Sequence, residues 1–180
     1  MKRDFWTIPN ALSLLRLLLS IPFAYVMLAD VPDARWWAIG IIVLGVITDK
    51  LDGDIARWLH CESEWGRILD PLADKVAVAV MALVLLWLGL IPAWFVVLLL
   101  ARDLLILAGG VYLRKRTGEV LPSNTAGKWA VGVIGFTLLF ALIDATMPIV
   151  TIGIVLSVVM VVVSTTGYAQ RFLTAIRTQR

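Results

Sequence analysis

The sequence predicts an all-α integral membrane protein, with six transmembrane helices and a short N-terminal juxtamembrane helix. Three observations lead there. The 180 residues are 61% hydrophobic and only 16% charged, with a mean hydropathy of +0.92; a soluble domain would be about half apolar and a quarter charged. Six apolar segments follow one another, near residues 8–28, 36–59, 69–88, 92–113, 125–143 and 148–168, and roughly 20 apolar residues suffice to cross a bilayer core. The connectors between them are short, so residues 1–180 read as a single membrane domain.

The first segment follows Lys2 and Arg3, which resemble the charged start of a signal peptide. Pro9, Asn10 and Arg16 interrupt the apolar run, and no clean small-x-small cleavage site follows. It reads as a retained helix, with Lys2–Trp6 as an amphipathic lead at the interface. The second and third segments flank "HCESEWGR", the third and fourth are joined by "GLIP", and "DATMP" precedes the sixth. Pro9, Pro92 and Pro148 suit first helical turns. Trp6, Trp36, Trp37, Trp58, Trp65, Trp94 and Trp129 fall near the segment ends, where amphipathic rings prefer to sit. There is no internal repeat and no low-complexity tract.

Orientation follows from lysine and arginine placement. With six spans, one side holds Lys2, Arg3, Arg57, Arg67, Arg114, Lys115, Arg116, Arg171, Arg177 and Arg180, while the opposite loops offer Arg35. The basic side is expected to face the cytoplasm across a cell inner or plasma membrane. A net charge of +3 without an arginine-rich arm gives no sign of nucleic acid; the basic residues suit anionic headgroups. Cys61 is the single cysteine, so no internal disulfide forms, and His60 beside it falls far short of a zinc set.

One stretch breaks the apolar pattern. "DKLDGDIARWLHCESEWGRILDPLADK" gathers five aspartates between residues 49 and 75. On a helix, Asp52, Gly53, Ala56 and Arg57 share a face with Asp49, at offsets 3, 4, 7 and 8, whereas Asp54 points elsewhere. Gly66, Asp70 and Asp74 form a second stripe at i, i+4 and i+8. Two antiparallel helices would bring the stripes together, placing four carboxylates around a notch walled by small residues. A solvated acidic loop accounts for Asp54, Glu62 and Glu64 but not for two facing stripes. Four unpaired carboxylates beside a low-dielectric layer would be prohibitively repulsive. Hard divalent cations relieve that repulsion. Oxygen-only ligands favour magnesium, manganese or calcium over zinc, and magnesium shares its shell readily with substrate phosphates. The chemistry suggested is phosphoryl or phosphatidyl transfer assisted by two metal ions, with Arg57 balancing a diphosphate.

The same residues resemble the CDP-alcohol phosphotransferase signature D-x2-D-G-x2-A-R-x8-G-x3-D-x3-D, which Asp49 to Asp74 match without a gap. The resemblance implies a six-helix membrane core, usually a homodimer. It implies that Asp49, Asp52 and Asp70 bind magnesium or manganese, two ions in all. Asp74 would join the metal site and act as the base that deprotonates the acceptor. It further implies that Asp52, Gly53, Ala56, Arg57 and Gly66 shape the CDP pocket, and that an alcohol attacks CDP-diacylglycerol with release of CMP.

The acceptor is less sharply written. "NALSLLR", residues 10–16, resembles the first-helix N-x2-[T/S]-x2-R element of phosphatidylglycerophosphate synthases. Arg16 lies two turns inside and is expected in the cavity rather than as a snorkelling arginine. Arg102 and Lys128 are further candidates to face an acceptor phosphate, although structural pairing between helices would also explain them. Arg102 and Asp103, being adjacent, are expected on different faces without a local pair. "DPLADK", "LIP" and "ARDLLILAGGVYLRKRTG" look more like the cardiolipin synthase branch, whose acceptor is phosphatidylglycerol. "PSNTAGK" occurs in similar form in both branches and is no nucleotide-binding phosphate loop, since the required glycine is missing and Trp129 replaces Ser/Thr. The reading adopted is glycerol 3-phosphate as acceptor, with cardiolipin synthesis as the alternative. A cation-coupled transporter would also hold membrane carboxylates, but it would be expected to show inverted repeats and broken helices, which the sequence lacks. A scaffold without chemistry leaves the aspartate spacing unexplained.

Overall fold

The computed structural model describes residues 8–29, 31–59, 66–117 and 125–177. Every regular element among them is a helix: α1 (Ile8–Leu28), α2 (Ala34–Leu59), α3 (Gly66–Trp87), α4 (Ala93–Thr117), α5 (Thr125–Leu142) and α6 (Met147–Arg177). Four helices contain segments long and apolar enough to cross a membrane: Asn10–Leu28, Ala93–Leu113, Thr125–Leu142 and Met147–Phe172. The remaining two, α2 and α3, carry the aspartates. The expected lead at Lys2–Trp6 lies outside the described residues, as do His60, Cys61, Glu62 and Glu64.

The helices begin close to the apolar segments but two run on beyond them. Hydropathy ends the fourth and sixth segments near 113 and 168, whereas α4 continues to Thr117 and α6 to Arg177. The added residues, "RKRT" and "AQRFLTAIR", contain neither Pro nor Gly. Good helix formers carry the hydrogen-bond ladder past the apolar boundary. Turn geometry sets the other ends. At the end of α3, Gly89 takes φ +72°. Its N–H donates to the Leu86 carbonyl, and that of Leu90 donates to Leu85, a Schellman arrangement that satisfies terminal carbonyls. Asp144 does the same after α5 at φ +58°, with Ala145 N–H donating to Phe140. The carbonyl of Asp33 accepts from Trp36 and Trp37, opening α2.

Residues 1–84 and 85–180 form two compact units. In the first, α1 packs along α2, with Phe23, Met27, Ala38, Ala73 and Ala82 buried. In the second, α6 packs against α5 and α4 around Phe95, Leu113, Leu138 and Leu142. Both units invert the soluble pattern. Asn10, Ser13, Arg16 and Thr48 are buried in one, and Arg102, Thr137, Ser157 and Ser164 in the other. Meanwhile Ile21, Trp36, Val46, Val97, Leu104, Leu105 and Phe136 are exposed. Lipid solvates such an apolar exterior, while buried polar side chains must find partners on neighbouring helices.

The α5–α6 contact shows how close that packing is. Thr137 Oγ1 donates to its own helix at Val133 and lies 3.0 Å from Ser157 Oγ of α6. A Cβ at Gly153 would stand 2.8 Å from the same Thr137 oxygen. Any larger residue there would force the Thr137 side chain to shift.

Candidate functional site

The site is built from α1, α2 and α3 of the first unit. Asp49, Asp52, Gly53, Ala56 and Arg57 lie on the single continuous helix α2, and Gly66, Asp70 and Asp74 on α3, so the helical spacings assumed from sequence exist in the backbone. Of these residues, Asp49 and Asp74 have described side chains, both about half exposed. The side chains of Asp52, Gly53, Asp54, Ala56, Arg57, Gly66 and Asp70 lie outside the description.

Asp49 and Asp74 meet at Arg16. From α1, Arg16 Nη1 donates to Asp49 Oδ1 at 2.8 Å and to Asp74 Oδ1. Its side chain is 6% exposed. The buried stem thus carries one guanidinium nitrogen to carboxylates from two other helices. Local sequence explains the aim. Asn10, Ser13 and Arg16 recur every three residues along α1, and all three are buried. On α2, Gly45 lies one turn before Asp49, and a Cβ there would stand 4.0 Å from the Arg16 stem. Thr48 turns inward too, with its hydroxyl donating to the Gly45 carbonyl.

Two carboxylates facing one guanidinium leave this part of the site net negative. A half-exposed ion pair adds little to stability by itself. A buried guanidinium without its partners, however, would be costly. The donors are carboxylate oxygens, and two of them approach closely enough to share one nitrogen. That set fits a hard divalent cation. Among the described residues, no three of His, Cys, Asp and Glu gather; Asp52 and Asp70 would have to complete such a set.

The other two candidate acceptor residues belong to the second unit. Arg102 on α4 is buried. Its Nη1 donates to Asp103 Oδ1 at 2.8 Å, and its Nη2 to Ser164 Oγ of α6 at 3.1 Å. The adjacency argument against a local Arg102–Asp103 pair therefore fails. Successive Cβ atoms do diverge on a helix, but a long arginine stem can bend its head back to the neighbour. A charge inside an apolar helix pair gains from any counter-charge within reach. Lys128, the fourth residue of α5, is exposed. Sequence reasoning overlooked Ser164, although the polar "STT" of residues 164–166 directly follows the apolar run "VVMVVV" of α6.

Comparison with known proteins places these helices in a wider group. The family model for CDP-alcohol phosphatidyltransferase matches residues 6–166. A cardiolipin synthase (CMP-forming) of Rattus norvegicus is 39% identical over 113 residues, 62% of this chain and 36% of the relative. A provisionally named cardiolipin synthase of Mycobacterium tuberculosis is 38% identical over 124 residues, 69% of this chain and 58% of the relative. A CDP-diacylglycerol–glycerol-3-phosphate 3-phosphatidyltransferase of Bacillus subtilis is 32% identical over 146 residues, 69% of this chain and 72% of the relative. The chain thus spans between about a third and three-fifths of the length of the cardiolipin synthase relatives named here. A family match over most of the chain, with the gap-free aspartate spacing carried on α2 and α3, means that this chain belongs to the CDP-alcohol phosphatidyltransferase family.

Proposed function

We propose that this chain is a phospholipid-synthesis enzyme that transfers a phosphatidyl group from CDP-diacylglycerol to an alcohol and releases CMP. The observation that carries the reading is the meeting of Asp49 and Asp74, the two ends of the signature, at one buried arginine. The acceptor hydroxyl oxygen bonds to the phosphorus next to diacylglycerol, and the phosphorus–oxygen bond to CMP breaks. CMP leaves with the bridging oxygen, and the hydroxyl proton passes to Asp74. A base so placed typically contributes ~10²–10⁴-fold. Asp49, Asp52, Asp70 and Asp74 would hold two magnesium or manganese ions. Such ions, when bound, neutralise a diphosphate and its departing oxygen. Gly53, Ala56, Arg57 and Gly66 shape the CDP pocket, beside Asp52.

The acceptor in this reading is glycerol 3-phosphate, for whose phosphate Arg16, Arg102 and Lys128 are the candidate cations. Phosphatidylglycerol is the second reading. It is favoured by the Arg102–Asp103 pair, which neutralises one of the acceptor cations; identity separates the two groups of relatives only slightly, 33–39% for those named cardiolipin synthase against 32–35% for the glycerol-3-phosphate transferases. The assembly we propose is a homodimer of single six-span domains, each with its N-terminal juxtamembrane helix at the interface and its active site toward the cytoplasm. The deciding experiment supplies purified protein with CDP-diacylglycerol, magnesium and one acceptor at a time: glycerol 3-phosphate, phosphatidylglycerol, inositol phosphate, serine or glycerol. CMP release with glycerol 3-phosphate supports the first reading, and release with phosphatidylglycerol alone supports the second. No release with any acceptor would favour a cation-coupled transporter.

A further inference from the structure

We infer that Arg16 is the resident counter-cation of the carboxylate site, and that a divalent cation binds there by displacing its guanidinium. The inference rests on the metal reading of Asp49 and Asp74 given above. Three observations lead to it. One nitrogen, Nη1, holds an oxygen from each carboxylate. The side chain delivering it is almost wholly buried, so its charge cannot be satisfied by water. The paired carboxylates, by contrast, are half exposed and open to an arriving ion.

Magnesium ligands sit at about 2.0–2.1 Å in near-ideal octahedra. An ion that takes Asp49 Oδ1 and Asp74 Oδ1 would occupy the same wedge of space as Nη1, and both are cations. Like charges cannot share those two oxygens. Without metal, the guanidinium keeps α1, α2 and α3 joined and spares the carboxylates their mutual repulsion. The exchange replaces one positive charge by two, which the net negative site favours. Arg16 therefore lowers the apparent affinity for metal while stabilising the metal-free protein. It is a positioning residue for the site, and its two effects oppose each other.

The test uses the full chain in detergent, with manganese as the probe and no nucleotide present. Free manganese is read by electron paramagnetic resonance for wild type, Arg16→Gln and Arg16→Lys, and thermal unfolding is followed in EDTA and in saturating manganese. Arg16→Gln should bind manganese about ten- to a hundredfold more tightly, the scale of removing one competing charge-assisted contact. It should also melt well below wild type in EDTA, with most of that gap closed by manganese. Arg16→Lys, which keeps the charge without the guanidinium fork, should fall between the two. Equal or weaker manganese binding in Arg16→Gln, with wild-type binding intact, overturns the displacement while leaving the metal site standing. Absence of manganese binding in all three proteins overturns the metal reading itself, and the inference with it.

Discussion

Arg16 and Asp74, 58 positions apart in the chain, are joined as donor and acceptor between α1 and α3. The contact matters because Asp74 closes the signature stripe and is the proposed base. Its carboxylate already answers to a cation in the resting protein. Its reactivity is thus tied to where that guanidinium goes.

Asp74→Asn separates base from ligand. The variant should hold CDP-diacylglycerol within a few-fold of wild type while kcat falls by at least ~10²-fold. Nucleotide-lipid affinity measured beside single-turnover CMP release checks both halves. Near-normal turnover would remove Asp74 from the mechanism.

Metal dependence should track the other aspartates. Asp49→Asn or Asp70→Asn is expected to abolish activity in magnesium or manganese without unfolding the protein, since an amide oxygen supplies no charge. Asp49→Asn should also weaken CDP-diacylglycerol binding. Circular dichroism beside a CMP-release assay with and without EDTA makes the comparison, and full turnover in excess EDTA would refute the dependence.

Arg102 has a structural tie, and the proposed function adds an acceptor role. Removing its guanidinium takes one charged contact from Asp103 and leaves the buried Ser164 hydroxyl without this donor. Arg102→Ala should therefore destabilise the protein by about 1–3 kcal/mol and raise the acceptor KM. The double variant Arg102→Ala/Ser164→Ala should regain part of that stability, because no buried hydroxyl loses its donor, yet keep the raised KM. If KM recovers along with stability, Arg102 is structural only. Lys128→Ala, at an exposed position, should raise the acceptor KM about ten- to a hundredfold without lowering the melting temperature.

The α5–α6 seam tests the fold independently of chemistry. Gly153→Ala would put a methyl 2.8 Å from Thr137 Oγ1 and 3.3 Å from its Cβ. Overpacking of this kind costs about 1–3 kcal/mol. Adding Thr137→Ala should recover part of the loss, since the hydroxyl leaves but the Cβ stays. Thermal unfolding of the two variants in one detergent reads the difference, and an unchanged melting temperature for Gly153→Ala would show that the seam yields freely.

Hydropathy and motif spacing determine a good deal of this protein unaided. Six helices appear where apolar runs place them, and for the four long and apolar enough to cross a membrane a bilayer leaves few other ways to satisfy the backbone. The stripes Asp49–Asp52 and Gly66–Asp70–Asp74 are equally legible, since helical periodicity converts sequence spacing into a shared face. Helix ends were less so: α6 outruns its apolar segment to Arg177, as hydropathy measures solvent preference and not the hydrogen-bond ladder.

Tertiary structure alone decided the pairings. Sequence placed Arg16 in the cavity, and only the packing of three helices gave it Asp49 and Asp74 as partners. Sequence set Arg102 and Asp103 on different faces, yet the arginine bends to its neighbour and also reaches Ser164 on α6. The reason is the same in both cases. Periodicity governs where a Cβ points, whereas a long cationic side chain ends wherever burial leaves an anion or hydroxyl within its reach. That depends on which helices pack together.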